Sequence, residues 1–152
     1  ALFIVGLILV ASTPDYSVSD GEYEAWFEDG ANRAGQLIGV IALVLAGFCF
    51  LPLARAASDW VRRGRDSAER TFDVVLAAIF TTLVTVGGLI TGHGSVAVEI
   101  GDTPIPSADV VRSGEQVGYG LVLFAASLVA AWLIGRLASQ RVPRGTTAIS
   151  QG

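Results

Sequence analysis

Three apolar runs, each about twenty residues long, constrain the fold of this chain more than any other feature. They cover residues 35–54, 71–91 and 117–137, and as a helix each is long enough to cross the roughly 30 Å hydrocarbon core of a bilayer. Only 16% of the residues are charged, against about 25% in a typical soluble domain. The sequence therefore predicts an all-α integral membrane protein and excludes an ordinary soluble domain.

A further apolar segment opens the chain at residues 1–11. Such a segment makes about 16 Å of helix, roughly half of a span. We therefore expect a first helix that is incomplete at its N-terminal end, so that further residues precede Ala1. The alternative interpretation is the remnant of a signal peptide. Taken together, the four segments predict a four-helix transmembrane bundle that forms a single membrane domain over residues 1–152.

The charged residues predict how this bundle is oriented. Eight of the ten arginines lie in or next to the loop at 55–70 and the tail at 138–152. The loops at 12–34 and 92–116 hold ten acidic residues and two arginines. The positive-inside rule then places both chain ends in the cytoplasm. Because every basic residue is an arginine, which fits a high-GC genome, we expect a multi-pass protein of a bacterial plasma membrane.

The arginine-rich loop also predicts a binding surface. Capping signals on either side of Gly64 indicate two helix ends joined by a tight turn, which would gather basic side chains at the headgroup level. Each basic residue near the surface attracts anionic lipid by about 1 kcal/mol. The residues predicted to bind anionic lipid or an acidic partner are Arg55, Trp60, Arg62, Arg63, Arg65 and Arg70.

Small residues recur at helical spacing in the predicted spans, and they allow neighbouring helices to approach closely. The hydroxyl groups among them, with Asp73 at the edge of its span, could instead line a permeation path. For Asp73 we favour a charge at a helix start, where the helix dipole stabilises it. The residues predicted to pack between helices are Gly35, Gly39, Ala77, Thr81, Thr85, Gly88, Ser127, Ala131 and Gly135.

The first acidic loop predicts a short helix, because Ser19 and Glu22 fit a capping box. Tyr23, Trp26 and Phe27 fall on one face of that helix. We expect this face to form an outer-surface interface, with the aromatic side chains as an anchor in the headgroup layer. A docking surface for a partner is the alternative.

The second acidic loop predicts a small β-hairpin. At residues 95–100, β-branched apolar side chains alternate with other residues. The turn signal Gly101–Asp102 follows them. Ser113 and Gln116 resemble a capping box, so we expect the last span to begin near residue 117.

Motifs for catalysis and for metal binding are absent from the sequence. It contains no HExxH, GxSxG, Walker or CxxC pattern. His93 and Cys49 are each the only residue of their type, so we expect no zinc site, disulfide or cofactor. The net charge of −4 gives no support for binding to nucleic acid. The sequence predicts a protein that is not an enzyme.

A recurrent layout occupies about the first 65 residues. Pro14 lies in an acidic loop, the pair Trp26–Phe27 and then Arg33 follow, residues 36–39 open an apolar helix, and an arginine-rich segment ends it. This layout resembles a family of uncharacterised multi-helix membrane proteins from actinobacteria and their relatives. The resemblance implies a membrane architecture and no particular activity.

These observations lead to two functional hypotheses. The first is an accessory or scaffolding subunit of a larger membrane complex, with membrane lipids and other membrane proteins as partners. The second is a small transporter or channel that acts as a homo-oligomer.

Overall fold

The computed structural model describes residues 1–60 and 67–141, and these residues form helices joined by short connections. No strand occurs in these two ranges, which confirms the all-α prediction. Among the described residues, three helices are long and apolar enough to cross a membrane: Gly30–Ala56, Thr71–Thr91 and Ala108–Ala138. In chain order the helices are α1 (Leu2–Val10), α2 (Asp20–Glu28), α3 (Gly30–Trp60), α4 (Ser67–Thr91), α5 (His93–Glu99) and α6 (Ala108–Arg141).

The long helices pack side by side, with α4 between α3 and α6 and with α1 against α3. Their shared core includes Leu43 of α3, Phe80 and Val84 of α4, and Ala125 of α6. The ring of Phe80 lies 4.5 Å from that of Phe50, measured between ring centroids. With nine residues, α1 is about 14 Å long, which is roughly half of a ~30 Å hydrocarbon core.

Glycines set the spacing between two of these helix pairs. A Cβ atom added to Gly39 of α3 would lie 2.7 Å from Val10 of α1. A Cβ atom added to Gly118 of α6 would lie 2.1 Å from the hydroxyl of Thr91 on α4. Such distances are below van der Waals contact, so the helices reach their observed separation only because these residues lack side chains.

The short helices α2 and α5 lie together at one end of the bundle, next to the start of α6. The capping box of α2 is confirmed, since Ser19 accepts a hydrogen bond from the Glu22 amide and Glu22 bonds back to the Ser19 amide. The prediction that the aromatic face of α2 anchors in the headgroup layer is wrong for Tyr23 and Phe27. Both are buried against Ala108 and Val111 because α6 begins early enough to cover them, and Trp26 is partly buried beside them.

The predicted hairpin is wrong, because residues 93–99 form α5. A lone two-stranded hairpin is at best marginally stable in water, whereas a helical turn satisfies its own backbone. Here Gly94 also packs against Phe27 and Val111. Of residues 95–100, Ser95 is buried, whereas Glu99 and Ile100 are exposed.

The last long helix begins at Ala108, nine residues before the predicted start. Ser113 lies inside this helix and donates a hydrogen bond to the Asp109 carbonyl at 2.7 Å, so it is not a cap. The helix starts directly after Pro106 and Ser107, within the second acidic loop at 92–116. Helix α3 likewise begins at Gly30, directly after α2, and not at Gly35.

Two arginines hold α2 in place. Arg33 of α3 donates to Glu99 of α5 at 2.5 Å and to the Glu28 carbonyl at the end of α2 at 3.0 Å. Arg112 of α6 donates to Asp20 at the start of α2 at 2.6 Å, and its guanidinium lies 4.7 Å from the centre of the Tyr23 ring. A cation at the end of a helix and an acid at its start both agree with the helix dipole.

Candidate functional site

Helix α6 has an inward face that meets the rest of the chain and an outward face that is exposed. In its most apolar stretch, only 17% of the residues are buried inside the chain, against 44% for α4 and 33% for α3. The inward face carries Glu115, Gly118 and Arg136, and the outward face carries Gly120, Ser127, Ala131 and Gly135.

A group of four polar side chains, which we name the Glu115 cluster, joins α6 to three other helices. It consists of Glu115 of α6, Tyr23 of α2, Gln36 of α3 and Ser95 of α5, and none of the four is exposed to solvent. The Tyr23 hydroxyl donates to one Glu115 oxygen, and the Gln36 amide donates to the other at 3.2 Å. The Ser95 hydroxyl donates to the Gln36 oxygen at 2.5 Å. The buried polar groups are thus hydrogen-bonded to one another, as burial requires.

One arginine acts electrostatically on the Glu115 cluster while its guanidinium bonds to other residues. Arg112 acts electrostatically on Glu115, but its guanidinium donates to Asp20 and to the Val18 carbonyl, the latter at 2.8 Å. Burial and the hydrogen bond to Glu115 raise the pKa of Tyr23 well above its ordinary value, so Tyr23 keeps its proton and remains a donor. Among the residues that the structure describes, no group of three or more His, Cys, Asp or Glu residues could hold a metal ion.

A second polar group, the Asp73 cluster, joins α4 and α6 at the opposite end. The Trp132 indole donates to the Asp73 carboxylate at 2.8 Å, and Arg136 forms an ion pair with the same oxygen. The Asp73 side chain is 4% exposed, and that of Arg136 is 18% exposed. We expected Asp73 to be a charge at a helix start. Instead it is paired with Arg136 inside the bundle, because α4 and α6 are in contact along this stretch.

The outward face of α6 makes few contacts within the chain. A Cβ atom added to Gly120 or Gly135 would meet no atom within 4 Å. The Ser127 hydroxyl is bonded to the Leu123 carbonyl of its own helix at 2.9 Å. Ser127, Ala131 and Gly135 were predicted to pack between helices, but the structure leaves all three exposed on this face.

The small residues of α4 lie in the interface with α3. Ala77 and Thr81 are buried, and the Thr81 hydroxyl donates to the Gly47 carbonyl of α3 at 2.8 Å. A Cβ atom added to Gly88 would lie 3.5 Å from Leu43. The Thr85 hydroxyl is buried beside them without a hydrogen-bond partner among the described atoms.

Of the predicted Gly35 and Gly39 pair, only Gly39 makes a close contact. A Cβ atom added to Gly35 would meet nothing within 4 Å, so the prediction of helix packing at this position is wrong. The reason is that α1 meets α3 one turn further along, where Gly39 contacts Leu9 and Val10.

The predicted lipid-binding residues are only partly described. Arg55 is exposed near the end of α3 and lines a groove between α3 and α4. Trp60 ends α3 and Arg70 lies in the first turn of α4, but their side chains lie outside the described part of the chain. Arg62, Arg63 and Arg65 fall at residues 61–66, which also lie outside it.

Sequence reasoning missed the Glu115 cluster, although one signal for it was present. Glu115 follows Val111 by four residues and precedes Gly118 and Val122 by three and seven, so all four lie on one helical face. That periodicity was obscured because residue 115 was placed in a loop. Nothing in the local sequence indicates that Tyr23 would be its partner.

Comparisons with protein-family models, with curated proteins and with solved structures gave no match to this chain. A functional conclusion therefore has to rest on the geometry of the helices and on the chemistry of their exposed faces.

Proposed function

We propose that this chain is a non-catalytic accessory or scaffolding subunit of a larger membrane protein complex, and that its partners pack against the outward face of α6. In this proposal the chain crosses a bacterial plasma membrane as a four-helix bundle, with both ends in the cytoplasm. The observation that carries the proposal is the open, small-residue surface of α6, at Gly120, Ser127, Ala131 and Gly135.

The contacts inside the chain support this use of small residues. Where α6 meets α4, Gly118 allows a contact that no larger residue could make, and Gly39 does the same between α3 and α1. The outward face of α6 carries the same residue types at helical spacing, and none of the helices in residues 1–60 and 67–141 packs against it. In a bilayer, close approach of this kind is a main source of helix association.

Comparison with the other long helices also supports the proposal. The exposed residues of α4 include large apolar side chains such as Phe72, Val75 and Ile79, which are suited to contact with lipid tails. The exposed side of α6 combines a stripe of small side chains with large ones such as Leu123 and Leu137. Small residues at helical spacing allow a second helix to approach closely.

A pair of matched substitutions tests this function. Ala131→Leu fills the proposed contact surface, and Ala78→Leu places the same side chain on an exposed position of α4. We expect the wild-type chain and Ala78→Leu to co-purify with the same membrane proteins under native conditions. We expect Ala131→Leu to lose them by roughly tenfold or more, which corresponds to about 1.4 kcal/mol.

Two results would contradict the proposal. One is recovery of the wild-type chain only as a monomer without any partner. The other is equal recovery of partners with Ala131→Leu and with Ala78→Leu.

The described contacts give no specific support to the alternative, a transporter or channel. Asp73 is engaged by Arg136 and Trp132, and the Thr81 hydroxyl is bonded to the carbonyls of Gly47 and Ala77. A liposome flux assay would still detect transport by this protein. Flux that Asp73→Asn abolishes, in protein that stays folded, would support transport over scaffolding.

A further inference from the structure

A groove between α3 and α4 combines an apolar wall with one exposed guanidinium group. It lies at the end of the bundle that holds the Asp73 cluster, and its volume is about 320 Å³. This is at the lower end of the roughly 300–1,000 Å³ of ligand pockets. The groove is lined by Leu51, Pro52, Ala54, Arg55, Val74 and Ala77.

The shape of the groove follows from the residues that line it. Ala54 and Ala77 are buried, and their short side chains leave room between the two helices. Val74 is 57% exposed and stands on the α4 side of the opening. Pro52 lies within α3 and has no amide hydrogen, so it adds an apolar ring without adding a donor.

Arg55 is the charged residue of this lining, and it is exposed. An arginine keeps its charge under all ordinary conditions, and its planar guanidinium matches the oxygens of a phosphate. The ligand that fits therefore has an alkyl chain for the apolar wall and an anionic group at one end. Free inorganic phosphate would use Arg55 alone and leave the rest of the groove empty.

We propose that this groove binds one acyl chain of an anionic phospholipid, with the lipid phosphate held by Arg55. The site uses α3 and α4, and the proposed partner surface lies on the outward face of α6. The two proposals can therefore fail separately.

Native mass spectrometry of the full chain tests the site. The protein would be released from detergent with phosphatidylglycerol or phosphatidylcholine at equal concentration, and bound lipid would be counted. We expect the wild-type chain to prefer phosphatidylglycerol. Arg55→Gln should weaken phosphatidylglycerol binding about fivefold, from the roughly 1 kcal/mol expected per basic residue, and should leave phosphatidylcholine unchanged. Arg55→Lys should retain most of the preference.

The apolar wall has its own variant and a matched control. Val74→Phe fills the groove from an exposed position and should weaken binding of both lipids. Val86→Phe makes the same change at an exposed position of α4 that does not line the groove, and it should have no effect. Inorganic phosphate at a concentration equal to the lipid should not displace phosphatidylglycerol.

Three outcomes would overturn the proposal. The first is an unchanged lipid preference in Arg55→Gln, and the second is the same lipid binding in Val74→Phe and Val86→Phe. The third is displacement by inorganic phosphate, which would assign the site to a free anion. If Val74→Phe fails to fold, the Arg55→Gln and Arg55→Lys pair decides the result.

Discussion

On the inward face of α6, Glu115, Gly118 and Arg136 each meet residues of another helix. On the outward face, Gly120 and Gly135 meet none of the other residues that the structure describes. Both faces contain glycine and both contain polar atoms. The inward polar atoms bond to other helices, while the outward Ser127 hydroxyl is bonded within α6 itself.

This difference shows that residue type alone does not determine the role of a small residue. Gly118 is required for the fold because Thr91 and Gly87 lie where its side chain would be. Gly120 is also a glycine of α6, but a Cβ atom added to it would meet no atom within 4 Å. The fold therefore does not require a glycine at this position. A glycine that its own chain does not require is available for contact with another molecule.

The largest expected difference between the two faces follows from removing the acid on the inward face. Glu115→Ala leaves the Tyr23 and Gln36 donors buried without an acceptor. At about 1–3 kcal/mol for each orphaned group, we expect the free energy of unfolding to fall by about 3 kcal/mol. Unfolding in mixed micelles, followed by tryptophan fluorescence, measures this loss.

Glu24→Ala is the control for that experiment, because Glu24 is exposed on α2. We expect its effect to stay within about 0.5 kcal/mol. A loss of less than about 1 kcal/mol in Glu115→Ala would mean that water reaches the donors, and it would contradict the buried cluster.

A methyl group added to a glycine should have different effects on the stability of the two faces. Gly118→Ala would place its Cβ 2.1 Å from the Thr91 hydroxyl and 2.6 Å from the Gly87 carbonyl. We expect this overpacking to lower the free energy of unfolding by about 2 kcal/mol. Gly120 lies two residues further along α6, and a Cβ atom added there would meet no atom within 4 Å. Gly120→Ala should therefore be neutral or stabilising by up to about 1 kcal/mol. Equal effects of the two substitutions would contradict the assignment of the faces.

The ion pair at the far end of the inward face should have a smaller effect. Asp73→Asn keeps an acceptor for the Trp132 indole but removes the charge that Arg136 meets. Breaking a fully buried pair costs about 3–5 kcal/mol, but Arg136 is 18% exposed and can reach polar surroundings. We expect a loss of about 1 kcal/mol. A double-mutant cycle with Arg136→Gln measures the coupling, and zero coupling would contradict the pair.

The smallest loss of stability is expected on the outward face. Gly135→Ala should leave the free energy of unfolding unchanged or raise it by up to about 1 kcal/mol, because no neighbouring atom lies within 4 Å. If the same substitution weakens recovery of partners, the outward face serves association alone. A clear loss of stability in the isolated chain would show that this face is not open.

The features that the sequence predicted well are local ones. The apolar runs at 35–54 and 71–91 lie within helices that are long enough to cross a membrane, since length and hydropathy need no knowledge of neighbours. The capping box of Ser19 and Glu22 spans one helical turn and is present. In each case, the residues that form the structure are adjacent in the sequence.

The features that it missed depend on residues far apart in the chain. Tyr23 was assigned to the headgroup layer because its helix looked amphipathic alone, but α6 covers that face. Residues 95–100 have a strand-like pattern, but contacts with α2, α3 and α6 favour a helix. Asp73 and Arg136 are 63 residues apart, and neither residue indicates the other.

The sequence separation inside the Glu115 cluster has a consequence for the order of assembly. Tyr23 and Glu115 are 92 residues apart, as are Asp20 and Arg112. During synthesis at about 5–20 residues per second, α2 therefore waits roughly 5–20 s for the helix that buries its aromatic side chains. We therefore expect docking of α2 to be a late folding step, with Tyr23 and Phe27 accessible to chaperones and proteases until α6 is made.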